Sequence, residues 1–124
     1  MVHDGDTINV DINLPFRVTL PNRMIRAYGY DAWEITRTRQ TVKVTEAEIA
    51  KGHKARNEFM ALLETGSLYL EDMSALYKTP TDPYGRTSAR LWVQVMSYPD
   101  DKPTVTWVLV EKWMEDHGHL RTKR

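Results

Sequence analysis

Short runs in which apolar and polar residues alternate constrain the fold of this chain more than any other feature. Residues 7–12 form the first run, residues 16–20 form the second after Pro15, and residues 24–28 form the third. Alternation with a period of two is typical of half-buried strands. Residues 21–23 (Pro-Asn-Arg) predict a hairpin turn between the second and third strands. The first third of the chain is therefore predicted to be a β-meander.

One amphipathic helix is predicted to follow the meander. Thr45 and Glu48 form a capping box, so the helix should begin at Glu46, and Gly66 supplies its C-terminal stop. An apolar stripe runs along this segment: Ile49, Ala55, Phe59, Leu62 and Leu63. The helix is expected to cover one end of a β-barrel.

The second half adds a further hairpin and an ambiguous segment. Residues 67–71 predict a short strand, and residues 87–96 alternate again as its partner. Residues 104–116 fit two patterns, because the β-branched start favours a strand while the spacing of the apolar residues fits a helical face. The aromatic and Met residues of this segment, Trp107, Trp113 and Met114, are predicted to lie in the core. The basic residues 119–124 are predicted to form a frayed tail.

Length and composition limit the classes of protein to consider. A chain of 124 residues with 41% hydrophobic and 27% charged residues is typical of one globular domain, here spanning residues 1–124. The absence of cysteine excludes disulfides and thiolate metal sites. Seventeen cations balance 17 anions, so phosphate binding would need a local positive patch. No membrane-spanning run or signal segment is apparent, so a cytoplasmic location is the default expectation and no membrane partner is expected.

One stretch brings ionisable groups together where a strand ends. Arg26 is predicted to face inward on the third strand, which is costly unless the guanidinium meets an anion. Asp31 and Glu34 follow just after a glycine turn, where side chains can converge on a ligand. Two other polar turns, residues 4–7 (Asp-Gly-Asp-Thr) and 82–86 (Asp-Pro-Tyr-Gly-Arg), are candidates to meet this stretch.

These three pieces, in this order, resemble the staphylococcal-nuclease family. The matching elements are the Asp-Gly-Asp-Thr turn, Arg26 with Asp31 and Glu34 at the family's spacing, and a Tyr-Gly-Arg at residues 84–86. The resemblance covers most of the chain. It implies an α+β fold, a small five-stranded barrel of the oligonucleotide-binding (OB) type with one long helix and a C-terminal helix, which would place a helix at residues 104–116.

Two departures from the family accompany the resemblance. The family carries a full strand before the Asp-Gly-Asp-Thr turn, whereas only Met1-Val2-His3 precede Asp4 here, so the first strand of the predicted barrel is truncated. A barrel edge left open in this way either invites pairing with a second chain, as in a homodimer through that edge, or lowers the stability of the domain. A third alternative is that the given sequence begins later than the functional protein does. Trp33 stands where proline is usual, which removes a constraint on the preceding Ala32.

The resemblance implies a calcium-dependent nuclease that cleaves DNA or RNA with little sequence preference. Asp6 and Asp31 supply hard carboxylate oxygens, which suit Ca²⁺ better than zinc. The main-chain carbonyl of Ala32, in place of the usual threonine, would complete the ligand set. Asp4 would contact the metal's waters instead of the ion itself.

The remaining site residues would act on the phosphodiester. Arg26 and Arg86 would both grip the scissile phosphate. Glu34 would orient or deprotonate the attacking water. Tyr84 would contact a neighbouring phosphate or sugar of the substrate.

A second class of protein also accounts for the sequence. Taken singly, the acidic turns, the Arg26 ion pair and the surface cations are ordinary structural features. The same fold could then be a catalytically inactive module that binds nucleic acid or protein. The neutral net charge and the truncated first strand favour this alternative, whereas the joint presence of all the site residues favours the nuclease.

Overall fold

A computed structural model describes residues 1–33, 35, 38–39, 42–43, 45–73 and 87–123 of the chain. Within them lie ten strands, two α-helices and two short 3₁₀ turns, at Pro15–Arg17 and Pro99–Asp101. The strands are β1 (Val2–Asp4), β2 (Thr7–Leu14), β3 (Val18–Ala27), β4 (Tyr30–Ala32), β5 (Thr38–Arg39), β6 (Val42–Lys43), β7 (Ser67–Asp72), β8 (Thr87–Ser97), β9 (Thr104–Leu109) and β10 (Leu120–Lys123); the helices are α1 (Glu46–Glu64) and α2 (Val110–Asp116).

The architecture is α+β, built on one curled mixed sheet of six strands. The strand order is β1-β2-β3-β8-β7, and β9 also pairs with β8. All these pairs are antiparallel except β3 and β8, which run parallel where Ile25–Ala27 meet Thr87–Ala89. Strand β8 thus joins the N-terminal meander to the second hairpin. Separate two-stranded sheets pair β4 with β10 and β5 with β6.

The core lies between the curled sheet and the two helices. The alternation of β8 is confirmed, since Ala89, Leu91 and Val93 are buried. From the helices come Phe59 and Met114, both fully buried. Each buried methylene stabilises the fold by roughly 0.8 kcal/mol, so this cluster is the main source of stability.

Helix α1 begins as predicted but ends for a different reason. Thr45 Oγ1 accepts a hydrogen bond from the Glu48 amide at 3.2 Å, which confirms the capping box. Gly66 follows the helix, yet a Cβ on it would lie 2.0 Å from the Gln94 carbonyl oxygen. Gly66 is therefore required because the backbone of β8 approaches it closely, and a left-handed cap does not explain it.

The predicted turn at residues 21–23 is wrong. The hairpin reverses instead at the 3₁₀ turn, where Phe16 and Arg17 adopt φ angles of 64° and 60°. Strand β3 runs through residues 21–23 with a bulge, marked by Asn22 at φ 50° and by a register shift opposite Asp11. The Asn22 amide donates to Asp11 Oδ1 at 2.8 Å, so the turn-forming residues are accommodated within a paired strand.

Two expectations for the C-terminal part are also wrong. Residues 104–109 form β9 and only Val110–Asp116 form a helix, so the β-branched pattern was the better guide. As a consequence, Trp107 is 49% exposed on the outer face of the sheet and lies outside the core. The tail is not frayed, because Leu120–Lys123 pairs with β4, and His119 before it is buried.

Candidate functional site

Arg26 lies at the centre of the candidate site. It sits in β3, paired with Thr7 of β2 on one side and with Ser88 of β8 on the other, and it is only 5% exposed. Its Nη1 lies 3.0 Å from Asp6 Oδ2, and its Nη2 bonds to Asp31 Oδ1. The predicted inward-facing arginine is confirmed, and two carboxylates balance its buried charge.

Asp6 is held by the backbone around it. Its Oδ2 accepts from the Ala32 amide at 2.7 Å, and its Oδ1 accepts from the Thr7 hydroxyl at 3.0 Å. The Asp6 amide in turn donates to Asp4 Oδ1 at 3.0 Å. A Cβ on Gly5 would lie 2.6 Å from the Ala32 Cβ, so the Asp-Gly-Asp turn can approach β4 only because a glycine stands there.

Asp31 is positioned from the other direction by the C-terminal strand. Gly29, at φ +94°, turns the chain from β3 into β4. The Thr122 hydroxyl of β10 donates to Asp31 Oδ2 at 2.7 Å, and Arg121 Nη2 lies 3.9 Å from the same oxygen. Sequence reasoning missed Arg121 and Thr122, since a four-residue strand leaves almost no periodic signal.

Tyr30 links the Asp-Gly-Asp turn to Arg26 through hydrogen bonds. It is 1% exposed, and its hydroxyl donates to the Gly5 carbonyl at 2.7 Å. Its own carbonyl accepts from Arg26 Nη1 at 3.1 Å. Burial, followed by the negative charge of Asp6, raises the pKa of the Tyr30 hydroxyl well above its ordinary value. Tyr30 therefore remains a neutral donor throughout the physiological range.

The donor set suits a hard cation. Asp6, Arg26 and Asp31 carry a formal charge of −1 together. The two carboxylates offer oxygen ligands, which hard cations such as calcium prefer. A carboxylate offers about four acceptor positions, and three are used on Asp6 by Arg26, Ala32 and Thr7. In donor type alone, these carboxylate oxygens match calcium. Within the described residues, however, no group of three or more His, Asp or Glu side chains is arranged to hold a metal ion, so main-chain oxygens or water would have to complete the shell.

The structure brings part of the predicted site together. Asp6, Arg26 and Asp31 are in direct contact, and Ala32 adjoins them through its amide. Glu34, Tyr84 and Arg86 lie outside the described residues. His119 Nε2 lies 3.1 Å from Glu58 Oε2.

No protein-family model matches the chain, and no curated protein matches it. Among the helices of the described residues, none combines the length and the apolar character needed to cross a membrane.

Proposed function

We propose that the chain is a calcium-dependent phosphodiesterase of the staphylococcal-nuclease type, built on an OB-type barrel, that hydrolyses DNA or RNA with little sequence preference. The observation that carries the proposal is the buried Arg26 held between Asp6 and Asp31. A guanidinium and two carboxylates in one buried cluster offer both phosphate recognition and a cation site.

The roles follow from the chemistry of each group. Asp6 and Asp31, with the carbonyl of Ala32, would hold calcium. When bound, the ion would supply charge stabilisation to the phosphoryl oxygens. Arg26 carries five N–H donors. Among the described residues, the two carboxylates and the Tyr30 carbonyl engage part of them, and the others would serve a phosphate oxygen.

The other roles rest on the resemblance. Glu34 would orient the water that attacks phosphorus in line with the leaving oxygen. Arg86 would bind the same phosphate as Arg26, and Tyr84 would contact the adjoining nucleotide. Asp4, whose carboxylate accepts a hydrogen bond from the Asp6 amide, would contact the metal's waters.

One observation favours the second candidate, an inactive module of the same fold. Arg26 already neutralises one of the two carboxylate charges, as a purely structural ion pair would. Such a module would bind nucleic acid or protein without hydrolysing it.

Cleavage of single-stranded DNA and RNA distinguishes the two candidates. Cleavage is measured with calcium and with chelator for three proteins: the wild-type chain, Glu34→Ala and Glu64→Ala. Glu64 is exposed at the end of α1 and serves as the matched control. The proposal predicts cleavage with calcium only, lost in Glu34→Ala and kept in Glu64→Ala. Absence of cleavage by the wild-type chain with calcium would contradict it.

A further inference from the structure

A cleft borders strand β4, which carries Asp31. It has a volume of about 260 Å³ and lies between α1 and the segment that leads into β10. Its lining residues are Trp33, Lys51, Lys54, His117, Gly118, His119 and Leu120. Trp33 directly follows Ala32, and Leu120 pairs with Ala32, so the cleft begins one residue from the site.

Two lysines give this cleft its charge. Lys51 and Lys54 stand three residues apart on α1, so both project from one face of the helix. The Lys51 ammonium lies 4.5 Å from the centroid of the Trp33 ring. A cation–π contact of this kind contributes roughly 0.5–1 kcal/mol at an exposed position, which favours the ammonium at the mouth of the cleft.

His117 and His119 line the opposite side of the cleft, and Trp113 lies behind the His117 ring. The His117 ring stacks on Trp113 with a centroid distance of 4.0 Å, and His117 Nδ1 donates to the Trp113 carbonyl at 2.7 Å. Glu58, one helical turn beyond Lys54, contacts His119 at 3.1 Å. The cleft therefore combines two ammonium groups with the exposed His117 ring and the partly exposed Trp33 ring, in a chain whose total charge is zero.

We infer that this cleft binds two backbone phosphates, one at each of Lys51 and Lys54, and an unpaired base of single-stranded nucleic acid, next to the phosphate held at Arg26. Lysines bind phosphate as point charges, and aromatic rings stack on bases of any sequence. The cleft supplies the local positive patch that binding requires in the absence of a net positive charge. The substrate class in this inference rests on the proposed function.

The test measures binding without hydrolysis. Fluorescence anisotropy of a labelled single-stranded oligothymidylate is recorded at several salt concentrations, in chelator, with Glu34→Ala as the parent protein. Lys51→Ala with Lys54→Ala is compared with the control Lys112→Ala, which removes an exposed lysine of α2 that pairs with Asp116 at 2.7 Å. Circular dichroism confirms that each variant is folded.

Loss of two phosphate contacts should flatten the plot of log K against log salt concentration by about 1.4. If the affinities of the two proteins coincide at 1 M salt, this corresponds to roughly 25-fold weaker binding at 0.1 M. Trp33→Leu should weaken binding without changing the slope, because stacking releases no counterions. The control should match the parent.

The outcomes separate this inference from the proposed function. An unchanged slope in the double lysine variant, an equal loss in Lys112→Ala, or no binding by the parent would overturn the inference. A lysine-dependent slope together with no calcium-dependent cleavage by the wild-type chain would support the inference and overturn the proposed function.

Discussion

Replacing Arg26 with alanine tests the central ion cluster most severely. The arginine side chain is 7% exposed, and the Asp6 and Asp31 side chains beside it are 8% and 16% exposed. Removing one partner of a buried ion pair costs about 3–5 kcal/mol, because an uncompensated charge remains. Two carboxylates lose their contact with the guanidinium here, so we expect Arg26→Ala to lower the free energy of unfolding by about 3–5 kcal/mol in chelator.

Calcium should reverse part of that loss. An ion bound between Asp6 and Asp31 would replace the missing guanidinium charge, so calcium should stabilise Arg26→Ala more than it stabilises the wild-type chain. Urea denaturation followed by circular dichroism, with calcium and with chelator, measures both effects.

Arg90→Ala is the matched control for this prediction. Arg90 lies on β8 with a side chain 32% exposed, 3.6 Å from Glu71, so its loss should cost at most about 1 kcal/mol. If the free energies of unfolding of Arg26→Ala and the wild-type chain differ by less than about 0.5 kcal/mol in chelator, the guanidinium is not the counter-ion that the geometry implies.

Three further substitutions follow from single contacts. Tyr30→Phe should cost about 1–2 kcal/mol at neutral pH by leaving a buried carbonyl without its donor. Because the folded-state pKa of Tyr30 is raised, this tyrosine ionises just above pH 10 only in the unfolded chain. The free energy of unfolding of the wild-type chain should therefore fall above pH 10, by up to about 1.4 kcal/mol per pH unit, and Tyr30→Phe should lack this fall. Urea denaturation at a series of pH values measures the difference. Thr122→Val removes the 2.7 Å hydrogen bond to Asp31 and should cost about 1 kcal/mol by urea denaturation, and calorimetry should show weaker calcium binding. Gly66→Ala would bring a Cβ within 2.0 Å of the Gln94 carbonyl oxygen and should cost about 1–3 kcal/mol by thermal or urea denaturation.

Each of these predictions has its own control or contradicting result. An alkaline loss of stability that is the same in Tyr30→Phe and the wild-type chain would contradict the first. Thr106→Val, an exposed threonine of β9, should leave calcium binding unchanged, and an equal effect at Thr122 would contradict the second. Gly118→Ala is the control for Gly66→Ala, because Gly118 has φ +74° and no atom lies within 4 Å of the added Cβ. It should cost about 1 kcal/mol through backbone strain alone. A smaller loss of stability in Gly66→Ala than in Gly118→Ala would contradict the third prediction.

The parts of the fold with strong local signals could be predicted from the sequence. The capping box at Thr45 depends on a contact between residues three positions apart, and the alternation of β8 reflects a regular burial pattern. Both predictions are confirmed. The inward Arg26 could be predicted as well, since a buried charge demands a partner and Asp31 follows it closely in the sequence.

The errors arose where distant pairing decided the local structure. Residues 21–23 carry turn-forming residues, but pairing with β2 holds them in a bulged strand. Residues 104–109 fit a helical face in sequence, but pairing with β8 makes them β9. Residues 120–123 form β10 because they pair with β4. None of these pairings has a signature within the segment itself, which is why Thr122 and Arg121 were not recognised beside Asp31.

Calcium binding by isothermal titration calorimetry tests the proposed site most directly. The wild-type chain and Asp31→Asn, which keeps the shape of the side chain and removes one charge, are titrated under the same conditions. A calcium site at Asp6 and Asp31 should take up one calcium ion per chain in the wild type, and Asp31→Asn should bind calcium much more weakly. No calcium uptake by the wild-type chain, or equal uptake by both proteins, would contradict it.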